Sequence, residues 1–326
     1  MRFKINPFWL HPIKEDKIPM LFVDREDELT LVRSILKTEF QDPSEICAVV
    51  GGIGIGKSSL LYQAKRIAED SDLHVEYMNG TENIISKSEE LIKNKDVAII
   101  DDVDKLDDDH AKIFYDKLET LLDDINFVFF SDSFKRNEEI RKIRSFITTD
   151  SLGLPKMLSN EELFFFLKKR MEKCLIKDVK GFELPFEDTA LDMAAIRSNG
   201  NLRNFFDYTQ SGWKISRGTN NDIVNSKHMQ KGIILKDRTI LGGRDIIDYK
   251  IIWNSTKGEF NKKLLAHECG INRGTLDNRI KNISHIINQE NRGKEVIISS
   301  IYNQIPEGTK ILKGILKDLR VNIDKL

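Results

Sequence analysis

Short apolar runs recur through the first half of this 326-residue chain, at residues 46–50, 97–100 and 126–130, with a weaker run at 74–78. Each is strand-length, apolar on both faces, and closed by a turn of Gly, Asp or Ser. Strands read this way when helices cover both sides of a parallel sheet. Between them the period changes. Residues 58–69 place Leu60, Leu61, Ala64 and Ile67–Ala68 on one helical face. Residues 159–170 open with Ser159 or Asn160 as N-cap, carry acids in the first turn and bases in the last, and predict another helix.

The last hundred residues have a different rhythm. Leu264, Leu265 and Ala266 begin an apolar face, Gly270 permits a tight turn, and Ile271 fills the corner. Leu276 and Ile280 stand i, i+4 on a second helix starting near Asn272. This is helix-turn-helix spacing. The apolar runs 283–287 and 294–298 flank a polar, Gly-containing loop at 288–293, which predicts a hairpin. A hairpin directly after such a helix is a wing, and a helix over 246–253 completes the bundle.

Composition narrows the class. Apolar residues make up 40% and charged residues 32%, as in a globular protein. No apolar stretch has the length a bilayer needs, and the N-terminus lacks a signal-peptide apolar region. Cys47, Cys174 and Cys269 are too scattered for a metal or redox motif and read as reduced thiols in a cytosolic protein. The net charge of −1 hides an asymmetry: residues 228–326 carry +7 and residues 1–227 carry −8. A basic C-terminal part suits a polyanion; scatter of surface charge is the alternative.

The stretch Gly51-Gly52-Ile53-Gly54-Ile55-Gly56-Lys57-Ser58, followed by Ser59, fits G-x-x-x-x-G-K-[ST] at every fixed position. It lies between a strand and a helix, as that motif requires. Glycines let backbone N–H groups turn toward phosphate, and the helix adds its positive end. Lys57 is expected to reach the β- and γ-phosphates of ATP and Ser58 to hold Mg²⁺. The run at 97–100 ends in Asp101-Asp102, at the carboxyl edge where α/β sheets gather their chemistry. Asp101 is expected to bind Mg²⁺ through water. Asp102 is expected to orient or deprotonate the attacking water, with a strand-end acid as the plainer alternative. The run at 126–130 ends in Ser131-Asp132-Ser133. A polar residue there can sit between the other two strands and touch the γ-phosphate; Ser131 is favoured, with Asp132 as alternate and helix capping as the other role.

The order of these parts resembles the AAA+ ATPases. Residues 22–29, Phe-Val-Asp-Arg-Glu-Asp-Glu-Leu, look like the helix near the adenine in the replication-initiator and signal-transducing branches. Residues 159–170 look like the first lid helix. Gly200-Asn201-Leu202-Arg203 resembles the second sensor, which implies that Arg203 touches the γ-phosphate and reports its loss. Arg141 and Arg144 occupy the segment of the arginine finger that is donated to a neighbouring subunit; the two are not separated. The resemblance spans roughly residues 20–220. One departure is the short link after the strand at 74–78, about one helix at 82–94, where initiators carry extra helices.

The resemblance implies an α/β P-loop protein with an N-terminal arm (1–20), an AAA+ base (21–155), a helical lid (156–225) and a winged-helix DNA-binding domain (226–326). Arg273, Thr275, Asn278, Arg279 and Lys281 are the expected exposed positions of the recognition helix, with Arg292 and Lys294 at the wing tip, all able to meet bases or phosphates of double-stranded DNA. Docking of protein is the other use of a winged helix. The expected activity is slow, regulatory hydrolysis of ATP with Mg²⁺ in a cytoplasmic, nucleoid-associated homo-oligomer or an assembly with related subunits. Its implied role is replication initiation or helicase loading, and a signalling or mobile-element ATPase is the alternative. A helicase or transposase is the partner these roles imply.

Overall fold

The computed structural model describes residues 3–8, 22, 25–37, 45–79, 95–121, 125–133, 149–154, 157–176, 181–284, 286–292 and 295–326. They fall into two compact units: Arg2–Phe182 with Asn201–Arg203, and Glu183–Gly200 with Asn204–Leu326.

The first unit is built on a five-stranded sheet. Its strands are β1 (Glu45–Val50), β2 (Val75–Asn79), β3 (Val97–Asp101), β4 (Phe127–Asp132) and β5 (Thr149–Gly153). The order is β2-β3-β4-β1-β5, and every adjacent pair is parallel. All of β3 and β4 is buried, which explains their apolar runs Val97–Ile100 and Phe127–Phe130. The helices are α1 (Glu26–Lys37), α2 (Lys57–Glu69), α3 (Asp108–Leu121) and α4 (Asn160–Cys174). On α3, Ala111, Phe114, Tyr115 and Leu118 pack with Val128 and Phe130 of β4 in one core cluster. Ser159 caps α4 in a reciprocal box with Glu162. At the N-terminus, Phe3 bridges Leu175, the Lys4 N–H donates to the Cys174 carbonyl, and Phe8 is buried. These residues form a packed extension.

The expected link helix at 82–94 lies outside the described residues. The topological consequence of the sequence pattern is clear all the same. Insertion of β4 between β1 and β3 puts three strand ends side by side, those of the glycine loop, the paired acids and Ser131.

The second unit holds α5 (Asp188–Ser198), most of α6 (Leu202–Gly218), α7 (Ser226–Leu241), α8 (Ile246–Ser255), α9 (Lys262–Cys269), α10 (Arg273–Asn282) and α11 (Gly308–Asp318). An antiparallel sheet of order β6-β8-β7 completes it: β6 (Phe260–Asn261), β7 (Ile287–Arg292) and β8 (Glu295–Ser300). Helix α7 packs against α5 and α11. Arg197 of α5 and Asp237 of α7 form a buried ion pair, and the hydroxyls of Tyr208 on α6 and Tyr302 after β8 also donate to Asp237.

Two sequence expectations change here. Residues 288–292, expected as loop, belong to β7 and pair with β8. The strand is polar because four of its six residues are exposed, so ladder bonds hold it without an apolar face. Leu264, expected on the buried face of α9, is exposed; Leu265, Ala266 and Cys269 are buried instead. All three cysteines are buried, and none is in a disulfide.

Candidate active site and helix-turn-helix face

The glycine loop follows β1, and α2 begins at Lys57. Gly56 caps the helix with φ 107° and no side-chain cap, leaving its first N–H groups to the loop side. Gly54 has φ 75°. That conformation is what favours glycine there; a Cβ would also lie 2.5 Å from Asn201 Oδ1, so the Asn201 side chain would have to move. Ile55 is buried beneath the loop, whereas Ile53 at its tip is 77% exposed. The Lys57 ammonium, almost buried, donates to the carbonyls of Gly51 (3.2 Å) and Gly52 (3.1 Å) and to Asp104 Oδ2 (3.2 Å).

Asp101 closes β3, Asp102 and Asp104 follow it, and each has its own partner. Buried Asp101 accepts from Ser131 Oγ (2.6 Å), from Tyr77 Oη (2.9 Å) and from the Asp102 N–H (2.8 Å). Ser131 Oγ in turn accepts from the Asp102 N–H at 2.8 Å. Asp102 stands in the left-handed region at φ 63°, which Asp tolerates better than longer side chains, and pairs with Lys105 at 2.6 Å. Asp104 pairs with Lys57. Burial, then the neighbouring Asp101 carboxylate, push the Tyr77 phenol far above its ordinary range. Tyr77 also stacks on Tyr62 at 4.6 Å. Of the alternates at the end of β4, Ser131 is the one that meets the acids. Asp132 is engaged by Tyr115 Oη and by the Ser133 N–H.

Asn201 Nδ2 donates to the Ile53 carbonyl at 2.8 Å, so the segment Gly200-Asn201-Leu202-Arg203 touches the loop directly. Arg203, two residues on, is exposed. Arg141 and Arg144 lie outside the described residues.

Tyr77, Asp104 and Asn201 had escaped the motif reading. Tyr77 sits on β2, the strand next to β3, and its only signal is a phenol in a half-buried strand. The others are 47 and 148 residues from their partners in sequence.

The second unit presents α9 and α10 at helix-turn-helix spacing. Gly270 closes α9 at φ 67°, and Asn272 caps α10 by accepting from the Thr275 N–H. Arg273, Asn278 and Lys281 are exposed, and Thr275 is half-buried. Arg279 departs from expectation. It turns onto α8 and pairs with Asp245 (3.1 Å) and Asp248 (3.5 Å), with its side chain 30% exposed. The reason is geometric: Arg279 lies next to buried Ile280 and can reach the acidic start of α8. Arg292 is exposed but forked onto Glu259 and Glu290, so the wing is not a free cationic tip at this residue. Lys294 lies outside the described residues.

A loop with two positive-φ glycines, an uncapped helix start, a buried lysine and a carboxylate-hydroxyl pair fits a nucleoside triphosphate. Ser58 and Asp101 suit Mg²⁺, which keeps waters and phosphate oxygens as ligands and needs no all-protein cage. Among the described residues there is no cluster of His, Cys, Asp and Glu that could cage a metal, and no helix long and apolar enough to cross a membrane.

The parallel sheet with its glycine loop, and the helix-turn-helix followed by a hairpin, make a P-loop α/β fold with a winged helix-turn-helix, the fold that the solved structures below share. No protein-family model and no curated protein matches the chain. Solved structures do. The Aeropyrum pernix ORC1 protein in complex with DNA is similar with TM-score 0.57 at 13% identity, over 93% of this chain and 95% of that one. The ORC2 protein of the same organism, in ADPNP-ADP complexes, gives 0.55 at 14%, over 96% and 97%. The Thermotoga maritima RuvB Holliday junction branch migration motor gives 0.51 at 19%, over 96% and 99%. At these identities the likeness carries the fold.

Proposed function

We propose that this chain is an ATP-dependent DNA-binding protein of the replication-initiator kind, in which nucleotide switches a winged-helix head. The observation that carries the reading is the bond from Ser131 to Asp101 beside the Lys57 loop. It gathers the three strand ends that P-loop chemistry uses, in a chain that also bears a helix-turn-helix. The ORC1 structure with DNA and the ORC2 structure with nucleotides support it by likeness of fold.

Bound Mg-ATP supplies the phosphoanhydride bond and the charge of the metal. Gly51, Gly52, Ile53, Gly54, Ile55 and Gly56 would wrap the phosphates with backbone N–H groups. Lys57 would neutralise the terminal phosphates, and Ser58 and Asp101 would hold the metal. Ser59 adds a hydroxyl to the same helix start. Asp102 would hold the attacking water and take its proton. Ser131 keeps Asp101 and the Asp102 backbone in register. Arg203 would read the γ-phosphate, and Arg141 or Arg144 would serve a neighbouring subunit of an oligomer. Arg273, Thr275, Asn278, Lys281 and Lys294 would meet duplex DNA, joined by Arg279 and Arg292 if the ion pairs of those two reorganise. In this reading residues 21–155 act as base, 156–225 as lid and 226–326 as DNA-binding domain of a cytoplasmic protein that hands DNA to a helicase.

A second reading has a specific observation behind it. Arg279 and Arg292 are both held by carboxylates of their own domain. That favours a protein partner for the winged helix, as in a signalling or transposition ATPase. Duplex binding followed by fluorescence anisotropy, with ATP, with ADP and without nucleotide, tests the choice. Tighter binding with ATP, lost in Lys57→Ala, is expected. Absence of duplex binding in every condition would transfer the winged helix to a protein partner.

A further inference from the structure

An ammonium group has three donors. At Lys57 all three are engaged, two by loop carbonyls and one by Asp104 Oδ2. A phosphate oxygen can bond this lysine only by displacing one of the three. The carbonyls belong to the loop that wraps the phosphate, so they stay beside it. Asp104 is the partner that carries the same charge as the incoming group.

We propose that Asp104 is a gate on the nucleotide site, held on Lys57 until the terminal phosphates of a nucleoside triphosphate displace it. This rests on the reading of the glycine loop as a phosphate site.

The local structure suits the role. Asp104 is the middle residue of a single 3₁₀ turn, Val103–Lys105, which is closed by hydrogen bonds from the N–H groups of Lys105 and Leu106. The turn lies just beyond β3, so the backbone of Asp104 is fixed at the edge of the site while its side chain can turn. Lys105 is paired with Asp102 on the other side. All three bonds to Lys57 measure 3.1–3.2 Å, long for a charged donor and therefore exchangeable. The Asp104 side chain is 16% exposed and has solvent to turn into. Its carboxylate lowers the positive potential at Lys57, and so sets a threshold that only a multiply charged phosphate chain overcomes.

The test is equilibrium and stopped-flow binding to the full chain, with ATP and AMP, in wild type, Asp104→Asn and Asp104→Ala. Magnesium-free buffer is the decisive condition, because a carboxylate could otherwise act through the metal. Both variants are expected to bind ATP about fivefold more tightly or better, the order of a partly exposed ion pair. AMP, which lacks the β- and γ-phosphates, is expected to bind them as it binds wild type. Unchanged or weaker ATP binding in the variants would overturn the gate and make Asp104 a residue that positions Lys57. Equal tightening for AMP would overturn it too, by pointing to a general rearrangement. Failure of wild type to bind ATP with or without magnesium would remove the phosphate-site reading itself, a different result from either.

Discussion

Arg197 and Asp237 meet through two parallel hydrogen bonds of 2.7 and 2.8 Å, with both side chains sealed from solvent. Tyr208 and Tyr302 complete the shell at 2.6 Å each, and the guanidinium lies over both rings. The four residues come from α5, α6, α7 and the turn after β8. They join α5, α6 and α7 to the end of β8, inside one compact unit. Removing one partner leaves a buried charge uncompensated, so Asp237→Ala is expected to cost about 3–5 kcal/mol in chemical denaturation. Arg197→Met added to it should recover part of the loss. A cost below about 1 kcal/mol would mean that the pair contributes little.

The same shell makes a pH prediction. Burial, then Asp237, raise the phenols of Tyr208 and Tyr302 well above their ordinary value. The folded form therefore keeps both protonated where the unfolded chain loses them. Their contribution is complete below about pH 10 and falls as pH rises above it. Absorbance titration should show these tyrosines silent near pH 10 and ionising only with unfolding. Ionisation of all six tyrosines near pH 10 in the folded protein would contradict the burial described here.

Ser131 makes two bonds that no other residue at the end of β4 replaces: to Asp101 and from the Asp102 N–H. Ser131→Ala is expected to cost about 1–2 kcal/mol of stability, the range for a lost buried hydrogen bond. Phosphate release should slow at least tenfold with nucleotide binding kept. Unchanged turnover would leave Ser131 a structural residue.

On α10 the charges divide into two sets. Arg273→Ala and Lys281→Ala should each weaken duplex binding and lower the salt slope by about 1 if each contacts a phosphate. Arg279→Ala should chiefly lower the melting temperature, because it strips the cation from Asp245 and buried Asp248. The bond from the Ile247 N–H, followed by Arg279, holds the Asp245 carboxyl below the usual carboxylate range. Melting and anisotropy on the same three variants separate the two sets; a larger DNA effect from Arg279 than from Arg273 would reverse the assignment.

The glycine loop, Asp101 and the strand ends were legible because each couples a local conformation to a local sequence. Gly54 and Gly56 are glycines where φ is positive, and β3 and β4 are apolar where both faces are covered. Helix α10 was legible for the same reason, from Gly270, Asn272, Leu276 and Ile280. What escaped depends on distance along the chain. Nothing local to Asp104 indicates Lys57, and nothing local to Asn201 indicates Ile53. The orientation of Arg279 escaped because helical periodicity assigns a face, while the side chain's length lets it reach back to α8. Strand β7 escaped because an edge strand needs ladder partners more than apolar residues.

The order β2-β3-β4-β1-β5 also bears on how the protein emerges from the ribosome. Strand β1 pairs with β4 and β5, which begin at residues 127 and 149. The segment that leads into the glycine loop is made early, and both its neighbours are made late. Until then its apolar edge has no ladder to join, and parallel pairing over such separations is slow. Nascent chains cut short before β4 should therefore be the aggregation-prone species, and a holdase chaperone should favour them over longer ones.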